Sequence, residues 1–403
     1  MNEKTTSPEA EAKKSGPSPF KFLSTATGPQ WVALDRPSVG DPKILADHET
    51  TKQRFERQLT DVLLAENLVI LTGLGTSMCV KGDDGKPLAP TMQDLWDASK
   101  ARAGTDFDAV KVKVNYTEAT ENIEFLLSRC QMAEKLKSDS VVKTFVEETE
   151  KLIVEKCRFL KDGLSLSVHE AFLRKVARRS TRLPRAKLFT TNYDLCFETA
   201  ASKTRFVVTD GFSHSEPQEF DGSYFNYDFV RRHPDRETPD YIPNVFHLYK
   251  LHGSLDWQQS GTQIFKVRGA TKPLIIYPRE SKFESSYDQP FLEMMAAFQA
   301  ALRQPNTGLL VIGFGFGDHH IAQPIASAIR SNVGLKAMVV SPSLESLPRS
   351  SIKDIADLIS AGDTRLSLLA TDFEKLVELT PDLIAATEEE SHQGRIRRVE
   401  GRR

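Results

Sequence analysis

Short apolar runs alternate with amphipathic stretches along most of this chain. Phe55, Leu59, Val62 and Leu63 recur at helical spacing, and a similar periodicity predicts a helix from Phe291 to Leu302. Further apolar runs predict strands at Leu68 to Leu71, Lys187 to Thr191, Phe206 to Thr209, Val245 to Leu251, Leu274 to Tyr277, Leu309 to Gly313 and Leu335 to Ser341. Continuous apolar strands that alternate with helices are typical of a mostly parallel sheet covered on both faces. The pattern therefore predicts an α/β fold with a Rossmann-like, mostly parallel sheet and helices on both faces.

The chain also divides into segments of different character. Residues 91–180 show helical periodicity throughout, which predicts an all-helical insertion inside a main domain of residues 21–345. Residues 1–20 mix Ser, Pro, Lys and Glu without apolar periodicity and are predicted to form a disordered arm. Residues 346–403 are predicted to be a C-terminal extension that ends in a charged tail.

The charge balance limits the classes of partner. With 53 basic and 55 acidic side chains, the net charge of -2 gives no overall attraction to nucleic acid or to a membrane surface. No apolar run approaches the ~20 residues of a membrane span, and no signal-type apolar segment opens the chain, so a soluble cytoplasmic protein is expected. The arginine-rich tail is expected to be a solvated end, so nucleic acid is an indirect partner at most.

The four cysteines are scattered, without a close pair. This spacing argues against a disulfide framework and against a four-cysteine zinc site, and it predicts reduced core residues at Cys79, Cys130, Cys157 and Cys196.

Two glycine-rich segments follow predicted strands, one from Thr72 to Ser77 and the other from Gly313 to Asp318. In an open parallel sheet, ligands bind beyond the carboxyl ends of the strands, and glycines there allow backbone N–H groups to approach a pyrophosphate. The first segment has Met78 where the Gly-x-Gly-x-x-Gly motif requires glycine, which argues against a hydride-transferring dehydrogenase. A tight turn without a ligand is the alternative interpretation of this segment.

Polar side chains follow the other predicted strands. An amide at Asn192, with Asp194 close by, suits ribose hydroxyls or a water, although both side chains also suit the cap of the next helix. His252 at a strand end suits a general base, because imidazole titrates near neutrality, and a purely structural turn histidine is the alternative. Ser341 follows a later strand. No metal is predicted from Asp318 and the adjacent histidines, because neighbouring side chains at a helix start point apart.

Together these segments resemble the sirtuin-like domain family of bacterial defence proteins, from roughly Leu68 to Ser343. Gly73 to Ser77 is similar to the family's Gly-Ala-Gly-x-Ser loop, with Leu74 in place of alanine. Asn192 and Asp194 match the family's Thr-x-Asn-x-Asp motif, and His252 matches its His-Gly motif. Gly313 to Ile321 resembles the Gly-x-x-Phe-x-Asp-x-His-Ile signature, and Pro90 to Trp96 is similar to the family's early insertion.

The resemblance implies an NAD glycohydrolase that depletes NAD during phage infection. Deacylating sirtuins carry a zinc module of two Cys-x-x-Cys pairs, which this chain lacks, so protein deacylation is not expected. By this resemblance Asn192 positions water or ribose hydroxyls, His252 accepts a proton and Asp194 orients the site. The implied NAD-binding residues are Gly73, Gly75, Thr76, Ser77, Gly313, Gly315 and Ser341.

The resemblance also implies that NAD is the substrate, that no metal takes part, and that the chain forms a homo-oligomer with a HerA-type hexameric ATPase as partner. Two other functions stay open: a non-catalytic sensor or scaffold that binds NAD or ADP-ribose, and an ADP-ribosyltransferase. The occurrence of both Asn192 and His252 at strand ends favours an enzyme over a scaffold.

Overall fold

A computed structural model of the protein describes residues 20–28, 30–35, 37, 41–118, 120–136, 139–232, 234, 240–278, 288–346 and 350–383. Of the predicted N-terminal arm, only Phe20 is described, and its ring packs edge-on against Phe55 at a centroid distance of 6.5 Å. The predicted charged tail beyond residue 383 lies outside the described residues. Within the described part of the chain, no helix is long and apolar enough to cross a bilayer.

The centre of the molecule is a nine-stranded, mostly parallel sheet. The strands of the described chain are β1 (Lys21–Ser24), β2 (Val32–Ala33), β3 (Asn67–Thr72), β4 (Lys187–Thr190), β5 (Val207–Thr209), β6 (Val230–Arg231), β7 (Asp240–Tyr241), β8 (Val245–Lys250), β9 (Trp257–Ser260), β10 (Gln263–Lys266), β11 (Thr307–Ile312), β12 (Lys336–Val340) and β13 (Leu366–Ala370). The sheet order is β2-β1-β13-β12-β11-β3-β4-β8-β5. The strands from β13 to β5 are parallel, whereas β1 and β2 pair antiparallel at one edge.

Alternate residues of the central strands pack into two separate cores, one on each face of the sheet. On β3, Leu68 and Ile70 belong to one core, and Val69 and Leu71 belong to the other. Outside the insertion, the described residues form the α-helices α1 (Pro42–Leu63), α7 (Cys196–Thr204), α8 (Phe291–Leu302), α9 (His319–Ser331), α10 (Ser350–Ser360) and α11 (Phe373–Leu379). Apolar residues of α1, α7 and α11 fill the first core, and those of α8, α9 and α10 fill the second. The predicted Rossmann-like fold with helices on both faces is confirmed.

The segment between β3 and β4 is helical, as predicted. It contains α2 (Met92–Ala103), α3 (Asp106–Lys113), α4 (Ile123–Leu136), α5 (Ser140–Cys157), α6 (Ser167–Phe172) and a π-helical turn (Leu173–Ala177). Helices α2 to α5 enclose a third core, in which Trp96 and Phe107 pack edge-on with ring centroids 5.0 Å apart. Thr91 caps α2: its hydroxyl accepts from the backbone N–H of Asp94, and the Asp94 carboxylate accepts from the backbone N–H of Thr91. The insertion is thus a packed unit with its own apolar centre.

One strand prediction is wrong. Leu274 to Tyr277 was expected to form a strand, but only Ile275 makes an isolated antiparallel bridge, to Gly253. This stretch crosses the end of β8, where the backbone N–H of Ile276 donates to the carbonyl of His252. Ile276 packs in the second core, and Ile275 is buried in a small cluster with Val154 and Leu255. A buried loop therefore carries the same local apolar pattern as a strand.

The segment after residue 345 supplies part of the central sheet. Leu366–Ala370 forms β13, which lies between β1 and β12. The strand is fully buried, and Leu366, Leu368 and Leu369 contribute to the cores on the two faces. The domain division at residue 345 stays a prediction, and residues 350–383 share the main sheet.

Candidate functional site

The register of the parallel strands brings the predicted site residues to one edge of the sheet. Thr72 of β3 is paired with Thr190 of β4 on one side and with Ile312 of β11 on the other. The pairing continues from Thr190 to Lys250 and from Ile312 to Val340. The residues that follow these strands therefore lie along one edge of the sheet. The order of the strands reverses between β3 and β11, and this edge is the place where parallel sheets usually bind ligands.

The two glycine-rich loops touch through their backbones at this edge. The N–H of Gly75 donates to the carbonyl of Gly313 at 3.1 Å, and the N–H of Gly73 donates to the carbonyl of Ile312 at 3.0 Å. A Cβ added at Gly75 would lie 2.6 Å from the Cα of Gly313, and one at Gly73 would lie 2.7 Å from its carbonyl oxygen. Glycine is required at both positions because the two loops approach too closely for any side chain.

Asn192 is held by the first glycine loop. Its Nδ2 donates to the carbonyl of Gly73 at 3.0 Å, to Oγ1 of Thr76 at 3.3 Å and to Oγ of Ser77 at 2.9 Å. Its Oδ1 accepts no hydrogen bond from the described residues, and the side chain lines a cavity. The amide is therefore oriented by its nitrogen and offers a carbonyl oxygen as a hydrogen-bond acceptor. The alternative that Asn192 caps a helix does not describe these contacts.

Asp194 ties the same loop to the next helix. Its Oδ2 accepts from the hydroxyl of Ser77 at 2.6 Å, and its Oδ1 accepts from the backbone N–H of Cys196, the first residue of α7, at 3.0 Å. Asp194 thus accepts a hydrogen bond at the start of α7 and links α7 to the first glycine loop. Through Ser77, which also accepts from Asn192, it fixes the position of the Asn192 amide.

A buried ion pair lies behind Asp194. Nζ of Lys250 is 2.9 Å from Oε1 of Glu198 and also donates to the carbonyls of Tyr193 and Asp194. Burial raises the pKa of the Glu198 carboxyl, and the nearby Lys250 ammonium opposes that rise. The pair anchors the backbone that carries Asn192 and Asp194 to the last residue of β8.

His252 follows Lys250 by two residues, as Asn192 follows Thr190, and Thr190 and Lys250 are paired at the ends of β4 and β8. Its side chain is buried, with only 3% of the residue surface exposed. The following Gly253 has φ +82°, and a Cβ there would lie 2.1 Å from the carbonyl of Leu274. The turn after His252 therefore requires glycine, and the backbone around residues 274–276 closes over it. Nε2 of His252 lies 3.2 Å from Nε2 of His320.

These residues surround a cavity of about 290 Å³, near the lower end of the roughly 300–1,000 Å³ that is common for ligand pockets. Its lining includes Gly73, Asn192, Asp194, His252, Gly313 and Gly315. The helical insertion supplies a further wall, formed by Met92, Leu95, Glu124, Cys157 and Phe159. The insertion thus takes part in the site, a role that the sequence alone did not reveal.

The remaining predicted NAD-binding residues lie around the cavity rather than on it. Thr76 and Ser77 are buried behind the first glycine loop, and Gly75 contacts Gly313. Ser341 follows β12, and its Oγ is 3.3 Å from Oγ of Ser343, but it is outside the lining of the cavity. The structure therefore brings Asn192, Asp194 and His252 together on the cavity and places Ser341 further along the sheet edge.

Sequence reasoning did not identify the supporting residues Lys250, Glu198 and His320. Lys250 precedes the His-Gly motif by two residues, and a lysine inside a buried apolar strand was the available signal for a buried ion pair. His320 lies on the histidine of the Gly-x-x-Phe-x-Asp-x-His-Ile signature, but that resemblance assigned no role to it. Among the described residues, no group of three or more histidine, cysteine or acidic side chains is placed to hold a metal ion.

Two other ionisable groups on the cavity are held in their protonated forms. Burial raises the pKa of the Cys157 thiol to about 12, with a further contribution from the charge of Asp194. Burial also holds the pKa of the Tyr193 phenol well above its ordinary value. Neither group is therefore suited to accept a proton near neutral pH.

The fold and the site define a Rossmann-like α/β protein with a ligand-sized cavity at the switch point of its sheet. Residues 186–354 match the model of a SIR2-like domain, and this range contains Asn192, Asp194, His252, Gly313 and Ser341. The match supports the resemblance to the sirtuin-like family and indicates an NAD-related function. The first glycine loop and the helical insertion lie outside the matched range.

The other comparisons are less informative. None of the curated proteins matches the chain in sequence. Similar solved structures include cytosolic 5'-nucleotidase IIIB bound to cytidine, with 12% identity and a TM-score of 0.29 over 81% of this chain and 90% of that chain. A similarity of this size gives no information on the function of this chain.

Proposed function

We propose that this protein is an NAD glycohydrolase, which cleaves NAD to nicotinamide and ADP-ribose. The observation that carries the proposal is that Asn192 and His252 line one cavity, together with Gly73, Gly313 and Gly315 of the two glycine loops. The match of residues 186–354 to a SIR2-like domain supports NAD as the substrate.

The reaction breaks the bond between the nicotinamide nitrogen and C1′ of the ribose. Because the leaving group is a pyridinium, it departs as a neutral molecule and needs no general acid, and the ribose becomes oxocarbenium-like. Water then forms a bond to C1′ and loses a proton. Oδ1 of Asn192 is the acceptor that orients the water or a ribose hydroxyl, and His252 takes the proton.

The charges around the cavity suit this chemistry. Glu124, Asp194 and Asp318 line it, and their negative charge favours the positive charge that develops on the ribose ring. The pyrophosphate is assigned to the glycine loops, because Gly73, Gly313 and Gly315 line the cavity. The loops leave no room for a side chain at Gly73 or Gly75.

The cellular role belongs to the same proposal. A constantly active NAD hydrolase would deplete its own cell, so we propose that activity is controlled by assembly of a homo-oligomer with a partner ATPase during phage defence. The resemblance to the sirtuin-like family is the support for this role. Co-purification of the chain with the product of a neighbouring ATPase gene is the corresponding test.

The test of the enzymatic proposal measures nicotinamide release by the wild type, Asn192→Ala and His252→Ala, with and without the ATPase. Each substitution is expected to lower the rate by roughly 10²- to 10⁴-fold, because it removes a group that orients or deprotonates the nucleophile. The exposed Asn226→Ala serves as a matched control and should retain full activity. A wild type that binds NAD without cleaving it under every condition would support the sensor or scaffold function instead, and ADP-ribose found on an acceptor molecule would indicate a transferase.

A further inference from the structure

A second cavity lies at the opposite edge of the sheet from the candidate site. Its volume is about 590 Å³, within the roughly 300–1,000 Å³ that is common for ligand pockets. Its lining includes Lys336, the first residue of β12, and Arg365, which directly precedes β13. The candidate site lies beyond the other ends of the strands, and β12 alone spans roughly 13 Å. The two cavities share none of their described lining residues and are therefore separate.

One side of α1 forms a wall of this second cavity. Arg54, Arg57, Gln58, Asp61 and Val62 line it, and their spacing along the helix places them on one face. Val62 is buried in the first core, whereas Arg54 and Arg57 are exposed. The helix therefore packs its apolar face into the core and presents an adjoining row of polar side chains to the cavity.

Positive charge predominates around the second cavity. Four cationic side chains line it, and Asp61 is the one carboxylate among its described lining residues. The cations are Arg54, Arg57, Lys336 and Arg365. Because the whole chain carries a net charge of -2, this concentration of positive charge is local, and it favours an anionic ligand.

Two of the four cations are paired within the protein. Nζ of Lys336 is 3.5 Å from Oδ2 of Asp61, and Nη2 of Arg365 is 2.6 Å from Oδ2 of Asp363. Each carboxylate offsets the charge of its partner. The attraction for an anion therefore comes mainly from the other two cations.

Arg54 and Arg57 are these two cations. Nη1 of Arg54 donates to the carbonyl of Ala26 at 3.1 Å, which leaves its other guanidinium N–H groups for a ligand. Glu56 lies between the two arginines in the sequence but is 3.9 Å from Nζ of Lys52, and no described acidic side chain forms an ion pair with either arginine. Two guanidinium groups one helical turn apart suit phosphate oxygens, which accept paired hydrogen bonds from arginine.

Gln58 adds a neutral contact point to the same wall. Its Oε1 is buried, and no described residue donates a hydrogen bond to it. A buried acceptor without a donor is costly, and a ligand that carries N–H or O–H groups can supply one. The second cavity therefore suits a molecule that combines phosphate oxygens with hydrogen-bond donors, as the phosphate, sugar and base of a nucleotide do.

We propose that the second cavity binds a nucleotide, with its phosphate groups on Arg54 and Arg57 and a donor of its nucleoside on Oε1 of Gln58. This site is independent of the proposed NAD cleavage, because it lies at the other edge of the sheet and uses none of the residues of the candidate site. Its test is therefore a binding measurement rather than an activity assay.

The test titrates the full-length protein with ADP, GDP, CDP and UDP in a calorimeter, and at least one of the four is expected to bind. For that nucleoside diphosphate, Arg54→Gln and Arg57→Gln should each weaken binding about tenfold or more, because each removes charge-assisted hydrogen bonds to phosphate. Gln58→Ala should weaken binding by about three- to tenfold. The matched controls are Arg182→Gln and Gln53→Ala, which change exposed side chains outside the cavity lining and should leave the affinity unchanged.

Further arms of the titration separate this site from other sources of binding. Asn192→Ala should bind the same nucleoside diphosphate as tightly as the wild type, and a loss equal to that of the arginine variants would place the nucleotide in the candidate site instead. Inorganic pyrophosphate should bind several-fold more weakly, because it has no nucleoside, and equal affinity would contradict the role of Gln58. A single-stranded oligonucleotide without terminal phosphates that binds more tightly than all four nucleoside diphosphates would overturn the assignment to a free nucleotide.

Two results would reject the site outright: no binding of any of the four nucleoside diphosphates, or an affinity that is unchanged in Arg54→Gln, Arg57→Gln and Gln58→Ala. If binding follows the expected pattern while the wild type releases no nicotinamide, the proposed function fails and the nucleotide site stands.

Discussion

At the scale of single residues, the site depends on side chains that hold other side chains. Asn192 is oriented by Gly73, Thr76 and Ser77, and Ser77 in turn donates to Asp194. The Ser77 hydroxyl is fully buried, so its hydrogen bond to the carboxylate is shielded from water. Removing this hydroxyl affects two functional residues at once, although Ser77 is outside the cavity lining.

Ser77→Ala tests this chain of hydrogen bonds. We expect a loss of about 1–3 kcal/mol in the free energy of unfolding, because Asp194 loses a buried donor, together with a lower kcat because Asn192 loses an acceptor. Urea denaturation and nicotinamide release measure the two effects. The exposed Ser202→Ala on α7 is the control and should leave both unchanged. Equal stability of Ser77→Ala and the wild type would show that this bond does not hold the site.

The sequence predicted cavity-lining residues at positions where a polar side chain follows a strand. Asn192, Asp194 and His252 were all predicted, and all three line the cavity. The contacts of His320 and Glu198 were not predicted, because their partners are distant in the sequence. His252 is 68 positions from His320, and Lys250 is 52 positions from Glu198. No local pattern encodes such distances.

At the scale of the elements, the site is a consequence of strand register and of two loops in backbone contact. The pairing of Thr72 with Ile312 places Gly73 beside Gly313, and the loops then pack without side chains between them. The predicted strands and helix Phe291–Leu302 were correct because each shows an uninterrupted apolar pattern. The strand predicted at Leu274 to Tyr277 was wrong, since the same apolar pattern also arises in a buried loop.

Gly75→Ala and Gly315→Ala form a matched pair that tests the contact between the loops. A Cβ at Gly75 would lie 2.6 Å from the Cα of Gly313, whereas a Cβ at Gly315 would meet no atom within 4 Å. We expect Gly75→Ala to lower the free energy of unfolding by roughly 1–3 kcal/mol, as overpacking usually does, and Gly315→Ala to leave it nearly unchanged. Thermal or urea unfolding distinguishes the two. Equal effects of both substitutions would argue against the close contact.

At the scale of the whole molecule, two buried histidines outside the site couple the stability of the fold to pH. Burial lowers the pKa of His169 to about 4, and a smaller opposing effect comes from Asp194. Burial and the nearby Lys187 lower the pKa of His247 to about 4 as well. His169 packs edge-on against Phe197 and Phe373, which leaves no room to hydrate a charged ring.

The sign of the pH dependence follows from these lowered pKa values. Both histidines are neutral when folded and take up protons at higher pH when unfolded, with an ordinary pKa near 6.5. Their stability contribution is present above about pH 6.5 and is lost as the pH falls towards 4, by roughly 2 kcal/mol per histidine between pH 7 and 5. His169→Phe should remove about that much of the loss, and the exposed His319→Ala should remove none. Denaturant unfolding at several pH values checks this, and an identical pH slope in His169→Phe would contradict it.

The overall architecture was predictable from the sequence, because strand and helix patterns alternate and the insertion is helical throughout. The folding of the insertion against the site was not, since its contribution of Leu95, Glu124 and Phe159 to the cavity depends on tertiary packing. The same holds for β13, whose weak apolar run lies between two strands that are distant in the sequence.

The most direct test of the central claim is the stoichiometry of NAD turnover by the purified protein. We expect each NAD consumed to give one nicotinamide and one free ADP-ribose, separated and quantified by chromatography, and His252→Ala to form neither at a comparable rate. NAD that is bound but recovered intact from the wild type, with and without the ATPase, would contradict it.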